Sequence, residues 1–375
     1  MSYPPRYKSL PTTVDNEQIT SVKARGTAGQ KKFIFHLLAV VAIMYATFSG
    51  VRYIARSNLK FAKGLWGCHG AHRNLSSLTS HYTLPSGDKI PSVALGVWQA
   101  EKGEVGMAVQ AALKSGYRHI DGAYAYNNEE YVGKAIRASA VPREQIWLTS
   151  KLWNAFHAPE DIEPVLDVTL ANLGTDYIYM YLIHWPIAFK KEGNYVLDEA
   201  LTANPYPTWQ KLEEWVDKGK IRNIGISNFN IRRIQNLTAN PLKYKPAVNQ
   251  VELNFWNPQP ELLKWAKEHD LILEAYSPLG GSNEVGKTLS QPVVKSIAKE
   301  LGITPAQVII SWHVQRGTIV LPKSVTPSRI EENLQIFSLP QDLFDKLEKA
   351  ATSHEPHRTG NPSNRWGLDF DIFDD

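Results

Sequence analysis

Eight short apolar runs, each followed by sequence of helical periodicity, constrain this 375-residue chain more than any other feature. They are residues 94–97, a stretch ending at Asp121, IWLTSKLW (146–153), IYMYLIHWP (178–186), KIRNIGISNF (220–229), AVNQVELN (247–254), LILEAYSPLG (271–280) and TIVLPKS (318–324). Between them the apolar spacing changes to that of a helix, as at Val105, Ala108, Val109, Ala112 and Leu113. Strict alternation of strand and helix implies a parallel sheet, and eight units over about 250–300 residues predict an α/β (β/α)8 TIM barrel. Ahead of them, YTLPSGDKIPSVALGVW alternates around Ser86-Gly87-Asp88 and predicts an N-terminal β-hairpin. An open doubly wound sheet would want a glycine-rich phosphate loop after its first strand. Here that strand ends in Leu95-Gly96-Val97-Trp98, with no GxGxxG.

The first 79 residues have another texture. They carry 11 Lys/Arg against Asp15 and Glu17, a balance of +9, which leaves the remainder at −5 although the whole chain is +4. A mildly acidic body gives no basis for nucleic-acid binding. A single cysteine, Cys68, excludes an intrachain disulfide framework and any CxxC zinc or redox site. Residues 1–32 read as a disordered polar N-terminus. Residues 33–51, FIFHLLAVVAIMYATFSGV, hold no formal charge and are flanked by Lys31-Lys32 and by Arg52 and Arg56. That is close to the roughly 20 residues that span a bilayer, so a separate N-terminal transmembrane helix is expected. Residues 52–79 follow as a basic linker, and residues 80–375 as the catalytic domain. The expectation is a membrane-anchored protein with its catalytic domain facing the cytosol. The rivals are a mitochondrial or plain cytoplasmic protein, a cleaved secretory signal, or translated upstream sequence.

The polar residues at the strand ends carry the chemistry. The second strand ends in Asp121 with Tyr126 just beyond, the third reaches Lys151, and the fourth reaches His184. In a parallel barrel these ends share one rim. A phenol is a poor acid near neutral pH, and a neighbouring ammonium is expected to lower its pKa. An aspartate holds the lysine charged, and a histidine orients a carbonyl oxygen. No nucleophilic Ser or Cys is placed there and no metal is required. The set suits carbonyl reduction by hydride from a bound cofactor, with the proton from Tyr126.

The ordered motifs DGAYAYNNEEYVG, TSKLW, LIHWP, GKIRNIGISNF, NQVELN, AYSPLG and LPKSVTPSRIEENL resemble the aldo-keto reductase superfamily, in its aldose-reductase-like branch. The resemblance covers residues from about 80 to 375. It implies a barrel that binds NADPH, with Asp121, Tyr126, Lys151 and His184 as the catalytic tetrad. It assigns Ser227, Asn228 and Gln250 to the nicotinamide carboxamide and Tyr276 to stacking on the ring. Ser277 and Leu279 fall at the pyrophosphate, and Lys323, Ser324, Thr326 and Arg329 at the adenosine 2′-phosphate. Glu332 and Asn333 fall near the adenine. A lysine and an arginine across a short polar turn suit a dianionic phosphate, so NADPH is expected over NADH. Trp98, Trp153 and Trp185 match the aromatic walls of the substrate pocket. Gly122 departs from a usual threonine, and Gly280-Gly281 leaves Ser282 without a clear match. The tail HRTGNPSNRWGLDFDIF resembles those of microbial members acting on glyceraldehyde, glycerol or sugar-derived carbonyls. The expected activity is therefore NADPH-dependent reduction of aldehydes and ketones, aldoses included. The alternative is a membrane-tethered NADPH-binding regulatory protein with little turnover. The oligomeric state is not specified.

Overall fold

The computed structural model describes residues 77–373. The hairpin pairs β1 (His81–Thr83) with β2 (Lys89–Pro91) in antiparallel register, Tyr82 opposite Ile90. Its turn closes through Gly87, whose φ of +88° few side chains tolerate. Leu84 and Ile90 are buried in one cluster with Trp147, Met180, Val248 and Ile319, so the hairpin plugs the end of the sheet where the strands begin.

Eight parallel strands follow in sequence order. They are β3 (Leu95–Gly96), β4 (His119–Asp121), β5 (Trp147–Leu152), β6 (Ile178–Ile183), β7 (Ile221–Ser227), β8 (Val248–Glu252), β9 (Ile272–Tyr276) and β10 (Ile319–Val320). The two ends of the sheet meet: Val93 bridges Val320 and Gly96 bridges Lys323, both in parallel. The Ala94 amide donates to the Val320 carbonyl at 2.9 Å and the Gly96 amide to Pro322 at 3.2 Å. The sheet therefore curls round onto itself, as a (β/α)8 barrel requires.

The expected helices form outside it: α1 (Lys102–Ser115), α2 (Glu129–Arg137), α3 (Pro159–Leu173), α4 (Glu199–Ala203), α5 (Tyr206–Asp217), α6 (Ile231–Thr238), α7 (Pro260–Glu268), α8 (Val285–Leu289), α9 (Pro292–Leu301), α10 (Pro305–Gln315), α11 (Pro327–Leu334) and α12 (Gln341–Thr352). Sequence and physics agree at their ends. Helix α3 starts with proline in its first turn beside Glu160 and Asp161, and Gly174 ends it in the left-handed region. Helix α10 carries a capping box between Thr304 and Gln307. Helix α2 packs so closely on α3 that a Cβ on Gly133 would come within 2.4 Å of the Asn172 carbonyl oxygen. The two five-residue helices α4 and α8 are not visible in the apolar pattern, being too short to show a period.

No helix among the described residues is long and apolar enough to cross a membrane. The longest is α3, with 15 residues and an amphipathic face, against the roughly 20 a span needs. The proposed span, residues 33–51, lies outside the described residues, as do the 1–32 segment and nearly all of the 52–79 linker.

Candidate active site

The polar residues of the sequence reading converge where the strands end. Asp121 is the last residue of β4, Lys151 lies within β5, and His184 directly follows β6. Tyr126 ends a single 3₁₀ turn (Tyr124–Tyr126) after β4. The Lys151 Nζ donates to Asp121 Oδ1 at 2.8 Å and to the Gly122 carbonyl at 2.7 Å. Lys151 is only 1% exposed, so removing Asp121 would strand a buried cation at a cost of about 3–5 kcal/mol. The same Nζ sits 5.1 Å from the centre of the Tyr126 ring. The Tyr126 and His184 rings meet edge to face at 5.9 Å.

Burial opposes the charge on Lys151, yet Asp121 and Tyr126 outweigh it and hold the ammonium above its ordinary pKa. For Tyr126 the balance differs from the sequence expectation. Burial raises the phenol and exceeds the lowering by Lys151, so Tyr126 is more firmly protonated than a free tyrosine. Burial, then Lys151 and His157, push His184 well below the usual histidine range, which leaves a neutral imidazole at physiological pH. The site thus holds one fixed cation, one protonated phenol and one neutral ring. His184 Nδ1 is buried and has no partner among the described residues.

Gly122, where a threonine is usual, keeps Lys151 through its backbone carbonyl. A Cβ there would find its nearest atom at 3.7 Å, so the departure removes a side chain without reshaping the site.

A second polar layer adjoins the first. Ser227 Oγ donates to the Gln250 carbonyl at 2.7 Å, and Asn228 Nδ2 donates to the His184 carbonyl at 2.9 Å. The Tyr276 hydroxyl donates to Asn228 Oδ1 at 2.8 Å. Gln250 Nε2 donates to Asp121 Oδ2, also at 2.8 Å. Asn228 and Ser277 both take positive φ, 66° and 48°, at the two strand-end turns. Leu279 packs against the main core.

The loop after β10 carries Lys323, Ser324 and Thr326 to the N-terminus of α11, whose first turn holds Arg329. Lys323, Thr326 and Arg329 are exposed. Asn333 is buried, and Glu332 accepts from Thr304 Oγ1 at 2.7 Å, which ties it to α10. Ser282 Oγ reaches Gln99 Oε1 at 3.3 Å.

The tryptophans divide. Trp153 and Trp185 flank His184, with ring centres at 5.4 and 6.3 Å. Trp98 stands 52% exposed after β3. The sequence reading missed Trp366 in the tail, which packs edge-on against Trp185 at 5.1 Å, Phe189 at 5.2 Å and Trp153 at 6.0 Å. It also missed Glu252, whose buried carboxylate accepts from the Thr359 amide (2.9 Å), the Thr359 hydroxyl (2.9 Å) and the Gly360 amide (2.7 Å), fixing the tail to the end of β8. Neither role has a sequence signal, because each depends on contacts more than 100 residues apart.

Comparison with known proteins fits this geometry. Residues 92–352 match the family model described as the aldo/keto reductase family. Glycerol 2-dehydrogenase (NADP(+)) of Saccharomyces cerevisiae is 39% identical over 315 residues, covering 80% of this chain and 98% of that protein. Aldo-keto reductase family 1 member A1 of Mus musculus is 42% identical over 292 residues, covering 72% and 90%. Among solved structures, the aldose reductase from Schistosoma japonicum superposes with a TM-score of 0.73 at 37% identity, covering 79% of this chain and 99% of that one. The yeast protein is matched almost end to end by four-fifths of this chain, which leaves no room in it for a counterpart of an N-terminal anchor. That finding overturns the membrane-anchored expectation.

Proposed function

This chain belongs to the aldo/keto reductase family, and from that premise we propose that it is an NADP-dependent oxidoreductase of small aldehydes and ketones. The observation that carries the reading is the buried Lys151–Asp121 pair beneath Tyr126, with neutral His184 beside it. NADPH, when bound, supplies the hydride. The residues present fit it. Ser227, Asn228 and Gln250 offer a polar layer for a carboxamide, next to the Tyr276 ring. Lys323 and Arg329, at the N-terminus of α11, offer two cations and a helix dipole to a phosphate dianion.

The protein's own part follows from the charges. A carbonyl oxygen seated between Tyr126 and His184 accepts a hydrogen bond from the neutral imidazole. As negative charge develops on that oxygen, Tyr126 gives up its proton, and the fixed ammonium of Lys151 stabilises the phenolate left behind. Asp121 keeps that ammonium charged and aimed. Trp153, Trp185 and the tail's Trp366 form an apolar wall that keeps water away. We assign glyceraldehyde-like carbonyls and aldoses as the substrate class. The support is the tail, which resembles those of microbial members, and the yeast and Hypocrea jecorina relatives named glycerol 2-dehydrogenase (NADP(+)).

The test is cofactor oxidation by the full chain against glyceraldehyde, an aldose and an aliphatic aldehyde. It is run with NADPH and with NADH, for the native protein and for Lys323→Met combined with Arg329→Ala. NADPH consumption is expected, with a preference over NADH that narrows by roughly 10–100-fold in the double variant, as loss of charge-assisted bonds implies. Tight NADPH binding with no carbonyl consumed contradicts the activity. An unchanged preference contradicts the phosphate assignment.

A further inference from the structure

Glu274 is a carboxyl group the mechanism above does not use. It lies in β9, is fully buried, and pairs in register with Gln250 of β8 and Ile319 of β10. Gln250 Nε2 is 2.8 Å from Glu274 Oε2 and also 2.8 Å from Asp121 Oδ2. Asp121 is ion-paired with Lys151 and can only accept. The Gln250 atom between the two carboxyl groups is therefore the amide nitrogen, and its two hydrogens are shared between them. Among the described residues no donor is bonded to Gln250 Oε1, so the amide oxygen is the end left open to a ligand.

A single N–H bond to Asp121 would let the amide swing about that bond. A second acceptor on a neighbouring strand fixes the plane. Burial, aided by the charge of Asp121, raises the Glu274 pKa to about 8 against the opposing effects of the Gln250 bond and Lys151. A carboxyl kept protonated still offers its carbonyl oxygen to Gln250, and it does so without placing a second negative charge beside Asp121.

We propose that Glu274 is a positioning residue: by accepting the second amide hydrogen of Gln250 it holds the Gln250 oxygen toward the cofactor. The site is thereby selective for a nicotinamide ring whose carboxamide donates an N–H. This rests on the NADPH reading of the site, in which Gln250 meets the carboxamide.

The test compares the affinity of the full chain for NADPH with its affinity for the reduced 3-acetylpyridine analogue, which carries a methyl ketone in place of the amide. Quenching of tryptophan fluorescence reports both. The native protein prefers NADPH. In Glu274→Val that preference shrinks about fivefold, in line with one net hydrogen bond. Glu274→Gln retains an acceptor oxygen at the same length and keeps the native ratio within about twofold. A folded Glu274→Val protein with the native ratio overturns the proposal. If that variant does not fold, Glu274→Thr, whose hydroxyl falls short of Gln250, is measured by the same criterion. A collapse of the ratio in Glu274→Gln also overturns it. A native protein that binds neither cofactor instead refutes the NADPH reading, so the two failures are distinct.

Discussion

At the scale of single residues, burial decides more of the chemistry than neighbouring charge does. Tyr126 shows it in the site: the lysine lowers the phenol, but desolvation is larger and the net direction is upward. Three buried histidines show it elsewhere. Desolvation lowers His119 to about 4, His157 to about 3 and His313 to about 3, from an ordinary 6.5. Each is neutral in the folded protein and protonates more readily once unfolded. A depressed folded pKa means that the stabilising contribution is complete above about pH 6.5 and is lost as pH falls toward 4 and 3. Urea unfolding measured from pH 7 to pH 4 should therefore show stability declining, by up to about 1.4 kcal/mol per pH unit for each such group. His119→Gln should flatten part of that decline. A native protein equally stable at pH 7 and pH 4 would contradict the neutral assignments. None of this was legible in the sequence, where a histidine looks the same buried or exposed. The convergence of Asp121, Tyr126, Lys151 and His184 was legible, because they fall at or just beyond the ends of three successive runs and such ends share one rim.

Among elements, the strand ends set the polar layer of the proposed site, and the tail packs on the tryptophans beside it. The runs contain β5 through β9 whole, since each has an apolar framework of four or more residues even where polar residues such as Asn249 and Gln250 interrupt it. They overstated β3 and β10, which keep only two residues each as regular strand. These are the strands that join the ends of the sheet, where isolated bridges replace a continuous ladder. The tail is irregular and has no period to read, yet Glu252 holds it with three hydrogen bonds from Thr359 and Gly360. Glu252→Ala removes the acceptor for all three. The expected result is a rise of roughly tenfold or more in KM for the carbonyl substrate, since bonds to a charged group are the stronger kind. The NADPH dissociation constant should stay within about threefold, because Trp366 and its neighbours belong to the proposed substrate wall. Steady-state kinetics with NADPH titration separates the two effects, and an unchanged carbonyl KM would remove the tail from substrate binding.

For the whole molecule, the alternation of strand and helix predicted the architecture of the described residues, because eight repeats of one pattern leave few other ways to bury both faces of each strand. Membrane attachment was read from 19 uncharged residues in a segment outside the described ones. Hydropathy alone carried that reading, and neither the described helices nor the near-complete match to a yeast relative supports it. What the fold builds is one rim on which a cation, its counter-ion, a phenol and an imidazole are brought together from three successive strand ends.

The most direct test of Tyr126 as proton donor is carbonyl reduction by Tyr126→Phe in the full chain, with NADPH binding followed alongside. The phenyl ring keeps the packing against His184 and Lys151 and loses only the hydroxyl that carries the proton. The expected result is a fall in kcat of about 10²–10⁴-fold with NADPH affinity unchanged. Native turnover in Tyr126→Phe would contradict it and move the proton donor elsewhere.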